Sequence, residues 1–199
     1  YLCTGNHDPQ SVWQKDFFAL PPSATMLAAD RPDFALFERE GKPVAIIAGR
    51  GYPNKVWSSR ENIAAGLTRQ AALSALGSRA EEAPFAVGVL HTGLNLDPVK
   101  APTDPAALVA AGFDYWALGH IHRRYQDSED DPRVVFSGCV QGRDIRETGS
   151  RGVYVVELWS DESPRLTFVP TASIVWEQPE VDVSDCPNIP SLVKKVMRE

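Results

Sequence analysis

The chain of 199 residues contains four histidines, His7, His91, His120 and His122, and each stands where a strand-like run gives way to a loop. The expectation is that none is spent on the surface. Neutral imidazole combined with carboxamide or carboxylate oxygen suits Mn, Fe and Zn, and Asn6 puts a carbonyl oxygen directly beside His7. His120 and His122 lie two apart in an extended segment, so they project to the same side and can serve neighbouring metals. A single buried histidine is more often a hydrogen-bonded core residue than a ligand, and a single Gly-x-His is only a turn. The gathering of every histidine into three glycine-flanked loops is what points to a metal site.

The elements that must carry those loops follow from periodicity and turn chemistry. Residues 1–4 read as the end of a strand, broken by Gly5 into a loop with Asn6, His7 and Asp8 before Pro9. Residues 34–38 and 43–48 read as β-runs joined by Glu40-Gly41-Lys42, with an irregular loop over 49–54. Ser58-Ser-Arg-Glu61 has the form of a capping box, and Ile63, Leu67 and Ala71 recur at helical spacing, which predicts a helix over 59–76. Residues 85–90 form an apolar run of the kind buried on both faces, ending at His91-Thr-Gly93. Asp104 is a candidate N-cap with Pro105 at the first helical position and Gly112 as the stop. The next strand, 115–118, ends at Gly119-His-Ile-His122. After a charged turn, residues 134–136, 152–158 and 166–170 look like antiparallel strands. This alternation predicts an α/β layered fold with its functional loops gathered at one sheet edge.

Composition sets the outer limits. With 43% hydrophobic and 23% charged residues the chain can bury a sizeable core, which excludes disorder, collagen and membrane bundles. The longest apolar runs, 44–48 and 85–87, fall far short of the roughly eighteen residues of a membrane span. A net charge of −6 opposes holding nucleic acid by phosphate neutralisation alone, so affinity for polyanions must be local. The three cysteines, Cys3, Cys139 and Cys186, are widely spaced without a CxxC, as reduced thiols of a cytoplasmic protein would be, and suggest no zinc site. No basic and then apolar leader pattern opens the chain.

Gly5-Asn-His-Asp8, Leu90-His-Thr-Gly93 and Gly119-His-Ile-His122, in this order and at these separations, resemble the motifs of the calcineurin-like metallophosphoesterases. Asp114-Tyr-Trp-Ala-Leu118 and Ser137-Gly-Cys-Val-Gln-Gly-Arg143 are similar to the bacterial DNA-repair exonuclease branch of that family, the SbcD-like and YhaO-type proteins. The resemblance covers residues 1–173 and implies a layered β-sandwich flanked by helices. Residues 174–199 would be a linker and the start of a second, cap-like element. It further implies two divalent metal ions, Mn²⁺ ahead of Fe or Zn, with Asn6, His91 and His120 on the second metal and His122 on the first. His7 would be the catalytic histidine that protonates the leaving alkoxide, and Asp8 would fix its loop through backbone hydrogen bonds.

The family's Asp-x-His and Gly-Asp-x-x-Asp motifs precede the GNHD motif and have no counterpart here. The expectation is a chain lacking an N-terminal segment, inactive by itself and poorly stable because strand edges are uncovered. Arg123, Arg124, Arg143, Arg146 and Arg151 are candidates to line a path for a phosphate backbone, although Asp127, Glu129, Asp130, Asp131, Asp144 and Glu147 interleave with them as on a solvated face. Trp13, Trp57 and Trp116 suit core packing better than base stacking. The expected function is a metal-dependent phosphodiesterase acting on DNA as a repair exonuclease, with an SbcC-like ATPase partner, homodimer formation and no membrane contact. The alternatives are a phosphatase or nucleotide phosphodiesterase on small substrates, and a non-catalytic platform subunit. His7 argues against the platform, which needs no general acid.

Overall fold

The computed structural model describes residues 1–13 and 19–198. Its central feature is a six-stranded sheet in the order β1-β2-β3-β4-β6-β5. Strands β1 (Asp33–Arg39) and β2 (Lys42–Arg50) form a hairpin whose two turn residues, Glu40 and Gly41, have φ of 53° and 75°. Positive φ at both positions matches the right-handed twist of the flanking strands. β2 runs past the expected 43–48 because Gly49 and Arg50 continue the ladder opposite Val89 and Leu90.

β3 (Phe85–His91) lies parallel to β2 and to β4 (Tyr115–Gly119), and β4 lies parallel to β6 (Val134–Phe136). The expected antiparallel arrangement of 134–136 is therefore corrected: the short antiparallel partner of β6 is β5 (Tyr125–Gln126), which closes the sheet edge. β7 (Gly152–Trp159) and β8 (Glu162–Pro170) pair antiparallel in a second, two-stranded sheet. A cavity of about 150 Å³ lined by Tyr115, Ala117, Leu118 and Val135 on one side and Val153, Tyr154 and Val156 on the other shows the two sheets facing each other. The fold is thus mixed α/β and layered, as the motifs implied. Among the described residues no helix is long and apolar enough to cross a membrane.

The helix expected over 59–76 is shorter. Helix α1 spans only Arg69–Leu76, because Gly66 takes a φ of 81° and Thr68 supplies the N-cap, accepting from the Ala71 amide at 3.0 Å. Ser58 and Glu61 instead close a turn, Glu61 N–H donating to the Ser58 carbonyl at 3.1 Å. Ile63 and Leu67 are buried all the same, so their spacing reported burial without continuous helix. Helix α2 (Pro105–Ala110) starts as expected, with Asp104 accepting from the Ala106 amide at 3.0 Å. Helix α3 (Ile189–Val196) begins two residues before the expected Ser191, capped by Asn188. Residues 1–4 form no ladder: Leu2 makes an isolated bridge to Met26.

The core fills the space between the sheet and these helices. Trp116 is fully buried, with its indole N–H donating to the Leu108 carbonyl at 2.9 Å, so it pins α2 onto β4. Its ring lies over Gly88 of β3, where any Cβ would overlap it. Trp57 is buried too, donating to the Glu61 carbonyl at 2.8 Å, and neither ring is available to a base. Trp13 is half-buried and donates to the Asp8 carbonyl at 3.0 Å.

Candidate metal centre

The parallel register of β3 and β4 sets His91 opposite Gly119, so the chain leaves the sheet edge through His120 directly beside His91. The rings of His91 and His120 stand 5.2 Å apart, centroid to centroid. The third loop is brought to the same edge by β2. Tyr52 N–H donates to the Thr4 carbonyl at 3.1 Å, and the Thr4 hydroxyl donates to the Tyr52 carbonyl at 2.8 Å. Asp8 Oδ1 then accepts the Gly5 amide at 2.9 Å and folds the loop back. The outcome is Asn6 Oδ1 at 2.8 Å from His91 Nε2. Gly5 is required here, because a Cβ would lie 2.6 Å from His91 Nδ1.

Asn6, His91 and His120 are therefore brought together. Burial first, then the neighbouring His120 imidazole, and more weakly His7 and His122, lower the His91 pKa to about 4, against an opposing pull from Asp8. His91 is thus neutral at ordinary pH and keeps a lone pair for a metal. The Tyr52 ring packs edge-on against His91 at 5.4 Å, and its hydroxyl is buried with no hydrogen-bond partner. His120 holds a φ of 116°, a backbone conformation that costs a non-glycine residue energy and that clusters at functional sites. These donors fit a divalent metal: two imidazoles, one of them held neutral, and a carboxamide oxygen.

His122 is more exposed and bonds through Nδ1 to Glu147. Cys139 joins them, the ligand atoms of His122, Cys139 and Glu147 all lying within 4.8 Å of one another. The spacing of the cysteines gave no sign of this grouping. His7 is exposed at the rim beside Asn6.

The arginines divide. Arg123, Arg124, Arg146 and Arg151 line a cleft of about 830 Å³, and Arg143 does not. Arg124 stacks over Phe168 at 4.1 Å and Arg146 pairs with Asp144 at 2.8 Å. Arg151 donates to backbone carbonyls, including Thr148 at 2.8 Å, so it braces the 147–151 turn. Sequence reasoning missed Asp97, which approaches His120 Nε2 at 3.1 Å, and read Glu147 only as part of an acidic face.

Stability carries a signature of this site. The folded pKa of His91 lies below its ordinary 6.5, so the unfolded chain binds the extra proton first and stability is lost as pH falls from about 6.5 toward about 4. At pH 5 the loss attributable to His91 is about 2 kcal/mol. Urea unfolding at pH 7 and pH 5 should show this difference in the parent chain and a smaller one in His91→Gln.

A parallel sheet edge that presents a neutral imidazole, a second histidine and a carboxamide offers the donor set of a metal site on an α/β fold. No family model matches the chain. It is 32% identical over 200 residues to the uncharacterized metallophosphoesterase YhaO of Bacillus subtilis (strain 168), a likeness over 98% of this chain and 45% of that protein. The chain thus spans less than half the length of this relative. The likeness extends over nearly the whole of this chain.

Proposed function

We propose that this chain forms the metal-binding part of a metal-dependent phosphodiesterase acting on DNA as an exonuclease. The observation that carries the reading is the cluster of Asn6, His91 and His120, with a neutral His91 bonded to Asn6 at 2.8 Å on the strand-end edge of a parallel sheet. Asn6, His91 and His120 hold one metal and His122 the other. Bound divalent ions, Mn²⁺ foremost and Fe or Zn as alternates, supply an activated nucleophile and neutralise charge on the phosphoryl oxygens.

The chain's own groups do the rest. His7, exposed beside the ligands, delivers a proton to the leaving alkoxide, the general-acid task that an imidazole most often performs. Asp8 holds the loop that presents both Asn6 and His7. Arg123 and Arg124, on the wall of the adjoining cleft, offer local positive charge to a phosphate backbone in a chain of net charge −6. The motif run Ser137-Gly-Cys-Val-Gln-Gly-Arg143 supports the nuclease branch, and with it a cytoplasmic ATPase partner of the SbcC kind and a homodimer.

The test is nucleotide release from linear duplex DNA in the presence of Mn²⁺ by the protein that carries this chain, with His91→Ala as control. Release that vanishes in the control supports the reading. Release that persists in His91→Ala refutes the ligand assignment, and hydrolysis of small phosphoesters without release from DNA moves the substrate to the small-molecule class.

A further inference from the structure

His120 and His122 sit two residues apart, yet each is met by a carboxylate on a different ring nitrogen. Asp97 Oδ2 lies 3.1 Å from His120 Nε2, whereas Glu147 Oε1 meets His122 at Nδ1. An ionised carboxylate only accepts, so the nitrogen it touches must carry the hydrogen and the opposite nitrogen must carry the lone pair. We propose that Asp97 and Glu147 are positioning residues that fix opposite tautomers, leaving Nδ1 of His120 and Nε2 of His122 as the metal-binding atoms. This rests on the reading of these two histidines as metal ligands.

Both carboxylates are held by their own loops, as such a role requires. Glu147 Oε2 accepts the Arg143 amide at 2.7 Å, and Glu147 N–H donates to the Asp144 carbonyl at 2.9 Å. One oxygen is thereby committed to the turn and the other is left for His122. The Glu147 side chain is only 18% exposed, against 50% for His122, so the anchored partner is the acid and the guided one the imidazole. Asp97 sits in a closed loop: its N–H donates to the Gly93 carbonyl at 2.8 Å, and Gly93 N–H donates to the Lys100 carbonyl at 2.6 Å.

The opposite choice of nitrogen has a geometric use. Binding through unlike nitrogens lets two histidines only two residues apart reach two separate ions rather than compete for one. The φ of 116° at His120 takes the backbone out of the strand conformation between the two histidines. Carboxylates placed behind metal-binding histidines in this way fix the tautomer and raise ligand basicity, and losing one typically costs about 10–100-fold in metal affinity.

The decisive readout is the protonation of the ring nitrogens, by long-range ¹H–¹⁵N NMR of the metal-free chain. His122 is expected as the Nδ1–H tautomer, the form free histidine disfavours, and His120 as the Nε2–H tautomer. In Glu147→Ala, His122 should revert to Nε2–H, and in Glu147→Gln, whose amide oxygen still accepts, it should stay Nδ1–H. Calorimetric titration with Zn²⁺ should show affinity falling about 10–100-fold in Glu147→Ala and in Asp97→Ala, and recovering in Glu147→Gln. A parent chain with His122 as Nε2–H, or a tautomer unchanged in Glu147→Ala, overturns the proposal. Loss of Zn²⁺ affinity in Glu147→Gln equal to that in Glu147→Ala overturns it too, since it would make Glu147 a ligand. If the tautomers are as stated but the parent binds no Zn²⁺, the hydrogen-bond assignment stands and the metal-ligand reading is what fails.

Discussion

Replacing His7 by alanine is expected to lower phosphodiester turnover about a hundredfold or more while leaving metal content unchanged, as the loss of a general acid does. The separation of the two effects follows from the site. Asn6 reaches His91 by a direct hydrogen bond at 2.8 Å, and the loop that carries it is held by Asp8 on the Gly5 amide and by Thr4 against Tyr52, none of which uses the His7 ring. His7 nevertheless stands within electrostatic reach of the cluster, since it is among the groups that lower the His91 pKa. A general acid matters in proportion to how badly the leaving group needs a proton. The loss in His7→Ala should therefore be large for DNA, which expels an alkoxide, and small for a p-nitrophenyl ester, which expels a stable anion. Metal content by elemental analysis and rates on both substrates decide the matter. An equal loss on both substrates would remove His7 from the acid role, and a loss of bound metal would make it a ligand.

What could be read from the sequence were the features that depend on neighbours in the chain. Strand ends at His91 and Gly119, the Asp104 cap and the hairpin at Gly41 are written in local patterns of apolar runs, capping residues and turn glycines, and each lies where those patterns put it. The helix over 59–76 was misjudged because Ile63 and Leu67 are buried without being helical, and period-four burial is only a proxy for helix. The pairing of β6 with β4 was misread because three residues, Val134–Phe136, carry no signal of direction. The histidines and Asn6 could be singled out in the sequence, and of these the structure brings Asn6, His91 and His120 together, with His7 and His122 exposed. The carboxylates could not: Asp97 and Glu147 are 23 and 25 residues from the histidines they touch, and acids in loops are too common to single out. The one local hint was that Asp97 follows the His91-Thr-Gly93 turn closely, in a loop short enough to fold back on the sheet edge.

Gly88→Ala is expected to destabilise the chain by about 3 kcal/mol or more, a large part of the roughly 5–15 kcal/mol that holds a typical domain together. Gly88 is in β3, the strand that delivers His91, and its partners in the ladder are Ala48 of β2 and Trp116 of β4. A Cβ at this position would overlap three ring atoms of Trp116, the most distant of them still only 2.5 Å away. Overpacking is mild where a flexible side chain can swing aside, and this one cannot. The Trp116 indole is fully buried, bonded to the Leu108 carbonyl at 2.9 Å, and packed against Phe113 with ring centroids 4.7 Å apart. Relief must come from moving β3 relative to β4, which separates His91 from His120 because these residues stand at the ends of the two strands. Destabilisation and loss of the site are therefore coupled. Urea unfolding should show the drop in midpoint, and Zn²⁺ titration below the unfolding range should show weakened binding. Trp116→Leu in the same background removes the obstructing ring, so partial recovery of both is expected; no recovery would place the damage in the backbone of β3 rather than in the collision with the indole.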